Sequence, residues 1–279
     1  MMTEKAKNHI LRYVICTFGS FVLLMLTLGG IATIVLHGTP AVMRWVTVIT
    51  AWTPTYIFLL MFKKLYPNSS LKAFYKNAFK EKLDMRLLVT TTGIQIIIIV
   101  LCVYMVSVQR GASVLNLLDF SFSTVSSAFF FALLTGATGE ETGWRGYLQP
   151  VMENKYGVVK GSLAVGLIWA FWHAPIWFLG TGYSGTVLIK YIAVFAITIT
   201  ALGFIMGICY HRCRNLFVPI WIHFTFNFLG QMFKGDLVDL VTWYAVFYCL
   251  MAVGCFILSK KQRFLRRKEA AHDKGNGRE

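Results

Sequence analysis

The stretch TGATGEETGWRGYLQP, residues 135–150, places two adjacent acids, Glu140 and Glu141, in an otherwise apolar region, with Arg145 four residues beyond the second. Two later stretches carry imidazoles in equally apolar surroundings: IWAFWHAPIW, with His173, and WIHFTFNF, with His223 and Asn227. A carboxylate and an imidazole can hold and deprotonate a water between them as general base. A second imidazole and a carboxamide can donate hydrogen bonds to an oxyanion developing on a carbonyl. Together these groups suit water attack on a peptide carbonyl without a covalent intermediate. The same side chains are zinc donors that leave room for water, so a metal held by Glu140, His173 and His223 stays open as an alternative. The zinc-helix pattern H-E-x-x-H and the nucleophile elbow G-x-S-x-G are both absent. Asp119, Asp236 and Asp239 stand at loop ends, which leaves no intramembrane aspartate pair.

Spacing separates the two acids. On a continuous helix Glu141 and Arg145 share a face, while Glu140 points about 100° away. Glu141 thus has its own cation, either to fix the helix face or to leave Arg145 for a substrate carboxylate, which guanidinium grips in a bidentate way. Glu140 faces whatever another helix supplies. The plainer alternative is an ion pair at a helix end with Glu140 solvated. Gly136, Gly139, Gly143 and Gly146 recur at three- and four-residue spacing and let neighbouring helices approach closely. Pro150 predicts that the helix stops after Gln149. Near His173, Pro175 deprives the Phe171 carbonyl of its helical donor. Such a distortion at membrane depth is tolerated where it is buried in protein or lines a wet cavity. His223 and Asn227 share one helical face, as oxyanion donors or as hydrogen-bond glue between helices.

The elements that position these groups are membrane spans. The 279-residue chain is 57% hydrophobic and 14% charged, and several apolar runs exceed the ~18–20 residues that cross a bilayer as a helix. The expected fold is an all-α polytopic membrane domain with spans near 11–36, 41–62, 87–108, 121–142, 162–180, 186–209, 216–233 and 237–258. The connections alternate in basic content: the N-terminus, 63–86, 143–161, the HRCRN turn and the tail 259–279 are rich in Lys and Arg, and the others are poor. By the positive-inside rule the basic set is cytoplasmic, which puts both termini there in the cell membrane, with a polar active-site cavity open toward the cytoplasm. The net charge of +15 then points to anionic lipid at the tail rather than to nucleic acid. The apolar run from Tyr13 to Leu36 is too long for a signal-peptide core and reads as the first anchor. The 63–86 segment is an amphipathic interfacial helix or a solvated basic loop. The six cysteines read as packing residues, with Cys209 and Cys213 only weakly compatible with metal.

At the three polar stretches the chain resembles the CPBP family of intramembrane proteases, also called the Abi family, which includes CAAX prenyl proteases and bacteriocin-processing enzymes. The family motifs E-E-x-x-x-R, F-x-x-x-H and H-x-x-x-N correspond here to Glu140-Glu141 with Arg145, Trp169 with His173, and His223 with Asn227. Trp169 stands where the family usually has Phe, which keeps an aromatic wall. The resemblance implies an eight-helix protease that cleaves near the C-terminus of a peptide or lipidated protein substrate. It assigns Glu140 and His173 to water activation, and His223 and Asn227 to the oxyanion. Glu141, Arg145 and Trp169 become supporting or substrate-binding residues, with zinc participation left open. Two other classes compete: a non-catalytic membrane peptide-binding or immunity factor, and a Glu/His-relay transporter, which the lack of internal repeats disfavours.

Overall fold

A backbone inside hydrocarbon finds no water, so each spanning segment must satisfy its own N–H and C=O groups. The chain meets this requirement with helices throughout. The computed structural model describes the backbone of residues 4–276 and the side chains of residues 8–39 and 41–260. The side chains of the basic tail beyond residue 260, expected against anionic lipid, lie outside the described residues. The helices are α1 (Glu4–Ile34), α2 (Pro40–Ala51), α3 (Thr53–Leu65), α4 (Leu71–Ala78), α5 (Met85–Arg110), α6 (Phe122–Ala132), α7 (Gln149–Trp172), α8 (Ala174–Leu179), α9 (Gly185–Cys213), α10 (Phe217–Gly230) and α11 (Leu237–Asn276). Two π-helical turns, Leu133–Ala137 and Thr142–Leu148, carry α6 into α7. No strand occurs among the described residues.

Six helical segments are long and apolar enough to cross a membrane, and the protein is a polytopic all-α membrane protein. Large apolar side chains such as Leu60, Val89, Phe130 and Leu250 face outward, an apolar surface suited to lipid. One of the six segments, Phe122–Leu179, runs for 58 residues. It reverses direction at Gly157, whose φ of 76° is non-helical and falls in the region that favours glycine. The reversal brings Gln149 Nε2 to within 2.8 Å of Ser162 Oγ, thirteen residues away in sequence; an unbroken helix would hold them ~20 Å apart. The expected spans near 121–142 and 162–180 are the two arms of this segment. Pro150 does not end the helix as its sequence context predicts. It occupies the first turn of α7, where a missing N–H costs nothing, and the break falls at Gly157 instead. The segment expected as a span near 216–233 holds α10, whose 14 residues cover about 21 Å of a ~30 Å core.

The basic 63–86 connection is docked. Ser70 caps α4, and Phe74 packs among Phe58, Phe62 and Tyr66. The carbonyl of Ala78 accepts from Leu216 N–H at 2.8 Å, and Asn215 Nδ2 donates to the carbonyls of Phe79 and Glu81. This ties the start of α10 in place. At the centre of the molecule Trp144, Trp169 and Trp172 are fully buried with Arg145. The six cysteines are free.

Candidate active site

Glu140 sits between the two π-helical turns. Each such turn takes in an extra residue and shifts the phase of the side chains that follow. Carbonyls in the first widened turn find substitute donors: Thr138 Oγ1 bonds Leu133 O at 2.6 Å, and Trp52 Nε1 bonds Leu134 O at 2.7 Å. Gly136 brings α10 into place. A Cβ added there would overlap the His223 imidazole and lie 2.9 Å from Asn227 Nδ2, so only glycine lets this face of α10 come so near.

Trp169, on the second arm of α7, joins the acid to the first histidine. Its Nε1–H donates to Glu140 Oε2 at 2.5 Å, and its carbonyl pairs with His173 Nδ1 at 2.8 Å. A carbonyl only accepts, so the His173 proton resides on Nδ1 and Nε2 keeps its lone pair. His173 ends α7, and Pro175 lies in the first turn of α8, so the distortion foreseen from Pro175 occurs at this histidine.

Glu141 has different company. Its Oε1 accepts from Arg145 Nη1 at 3.0 Å and from His223 Nδ1 at 2.8 Å. Glu141 and Arg145 side chains are 0% exposed. The Arg145 guanidinium also lies 4.4 Å from the Trp169 ring centroid, a cation–π contact. Because the carboxylate only accepts, His223 carries its proton on Nδ1, and its Nε2 edge lies beside Gly136.

Glu140, Trp169, His173, His223 and Asn227 border one cavity of about 180 Å³. The i,i+4 ion pair expected from spacing is formed, but Glu141 and Arg145 stand behind the cavity wall. The lining extends from Glu140 past Thr47, Phe131, Phe195 and Asn227, all only partly buried. On the other side, residues 141–149 are all buried. From the sequence this cavity is expected to open toward the cytoplasm. Two contributors escaped that reading. The indole N–H of Trp169, taken there as a wall, bonds the acid. Trp52 supports the π-helical turn from α2, and no spacing rule links it to residue 134.

Glu with two His is a donor set that zinc accepts. Among the described residues, however, no three His, Cys, Asp or Glu side chains lie close enough to share an ion. A Trp169 N–H also occupies the Glu140 carboxylate. As arranged, these residues do not fit a zinc ion, and no step below passes through one. Cys209 and Cys213 join no such group either.

A helical membrane protein with a carboxylate, two imidazoles and a carboxamide around one buried cavity has the equipment of an intramembrane hydrolase. Residues 122–229 match the family model described as Type II CAAX prenyl endopeptidase Rce1-like. The chain is also 27% identical over 218 residues to CAAX prenyl protease 2 of Methanococcus maripaludis, covering 76% of this chain and 80% of that protein. By both findings the chain is similar to membrane endopeptidases of the CAAX prenyl protease type.

Proposed function

We propose that the chain hydrolyses a peptide bond near the C-terminus of a membrane-associated or lipidated substrate, using a water activated by Glu140 and His173. The observation that carries this reading is the meeting of Glu140, His173, His223 and Asn227, from the two arms of the segment Phe122–Leu179 and from α10, around one cavity. The relative's description as a prenyl protease points to a prenylated C-terminal peptide as the substrate class. The basic connections favour a cell-membrane protein with both termini cytoplasmic.

In this mechanism Glu140 takes a proton from the water while His173 Nε2 accepts its other hydrogen as a bond. The hydroxide oxygen attacks the scissile carbonyl carbon. The oxyanion that forms receives hydrogen bonds from Asn227 Nδ2 and, in its imidazolium form, from His223 Nε2. Glu141 supplies the counter-charge at His223 Nδ1. The carbon–nitrogen bond then breaks, and Glu140 passes its proton to the leaving amine.

The test uses purified protein in detergent and a farnesylated peptide. Glu140→Gln keeps the shape and the Trp169 bond but removes the base, so turnover should fall on the order of 10³-fold with thermal stability retained. Full activity in this variant would overturn the mechanism.

A further inference from the structure

A second guanidinium lies close to the cavity, in a setting unlike that of Arg145. Arg44 is on α2, three residues before Thr47, which borders the cavity. Its Nη1 donates to the Ser127 hydroxyl, and the guanidinium lies 5.4 Å from the ring centroid of Phe131, also a cavity residue. Arg44 is exposed, and among the described residues no carboxylate lies within ion-pair distance of it. Among the described residues its partners are a hydroxyl and an aromatic face. Arg145 is fully buried, paired with Glu141 and absent from the cavity lining, so an anion in the cavity does not reach it. Arg44 stands at the partly open end of the lining.

The distance to the reacting groups is set by the helix. Trp52, whose ring lies against Gly139 beside Glu140, follows Arg44 by eight residues, a rise of ~12 Å along α2. An extended peptide covers ~3.3–3.6 Å per residue. An anion held at Arg44 therefore leaves the bond three to four residues upstream level with Glu140. From this geometry we infer that Arg44 binds the C-terminal carboxylate of the substrate and so sets which peptide bond is cut. Guanidinium recognises a carboxylate through two parallel hydrogen bonds, and the cation at this mouth has no competing acid. The inference rests on the protease reading above and adds a specificity residue outside the groups that activate water or hold the oxyanion.

Two farnesylated peptides of one sequence, one ending in a free carboxylate and one in an amide, test it. With wild type, the carboxylate peptide should show the lower KM. Arg44→Ala should raise that KM on the order of 10- to 100-fold and leave kcat and amide-peptide cleavage nearly unchanged, and Arg44→Lys should restore part of the effect. Equal discrimination by wild type and Arg44→Ala would overturn the inference. The same peptides are also bound to Glu140→Gln protein with and without Arg44→Ala. Arg44-dependent preference for the carboxylate supports the inference even if wild type cleaves neither peptide, in which case the protease reading alone fails. No such preference in binding overturns it, as does Arg44-dependent binding of phosphatidylglycerol in nanodiscs that the carboxylate peptide fails to displace.

Discussion

Glu141 meets Arg145 at 3.0 Å and His223 at 2.8 Å, while its neighbour Glu140 meets the Trp169 indole and the cavity. The division was legible in the sequence: i,i+4 spacing gave Glu141 its arginine and left Glu140 for other helices. The contact between Glu141 and His223 was not legible, because it depends on how closely α10 approaches. A buried charge stripped of its partner is strongly destabilising, so Glu141 and Arg145 hold the wall together while Glu140 faces the cavity. Trp169 gives a sharper test, because the family pattern has Phe there, a ring without a donor. Trp169→Phe keeps the surface against Arg145 and His223 but removes the N–H from Glu140. A hydrogen bond to a charged group is worth about 1.5–3 kcal/mol, so kcat on a lipidated peptide should fall by roughly tenfold or more, with KM and melting temperature little changed. Unaltered kcat would mean that the indole merely fills space.

At the scale of helices, the polar groups meet because regular helix geometry is broken in four places. The π-helical turns on either side of Glu140, the reversal at Gly157 and the end of α7 at His173 each re-aim a segment. Pro175 announced the last of these. Hydropathy could not announce the π-helical turns, since they change the phase of an apolar run and not its composition. Pro150 misled for a related reason: a proline marks a first turn as readily as a stop, and the first turn of α7 follows a π-helical segment without a gap. The glycine spacing was informative, and Gly136 shows why. Gly136→Ala would force its new methyl into the His223 ring and toward Asn227, in a core where added volume costs about 1–3 kcal/mol. Turnover should drop by at least tenfold with a fall in melting temperature of a few degrees. Gly19→Ala, with nothing within 4 Å of the added carbon, is the control. Wild-type activity in Gly136→Ala would show that α10 has room to withdraw without disturbing the site.

For the molecule as a whole, the charge pattern bears on which face of the membrane the cavity meets. Lys63 and Lys64 end α3, Arg212 lies in the last turn of α9 with Arg214 just beyond it, and α4 lies at that same end; the buried residues 141–149 stand behind the cavity wall. The partly buried lining residues Thr47, Phe131 and Asn227 come from α2, α6 and α10. The basic connections suggest one sidedness but carry no information on which side the helices splay, because that depends on packing among side chains far apart in the chain. If the basic ends are cytoplasmic and the lining beside Thr47 is the entrance, a substrate tail reaches Glu140 from the opposite face, passing Arg44. Thiol accessibility in intact cells decides the matter. In a background with the six native cysteines replaced, Thr47→Cys should react with a membrane-impermeant maleimide applied from outside, and a cavity-filling lipidated peptide should slow that reaction. Lys63→Cys should react only after the membrane is permeabilised. The reverse pattern would return the opening to the cytoplasm, where the basic connections alone had suggested it, and would require the lining between Thr47 and Asn227 to face the cell interior.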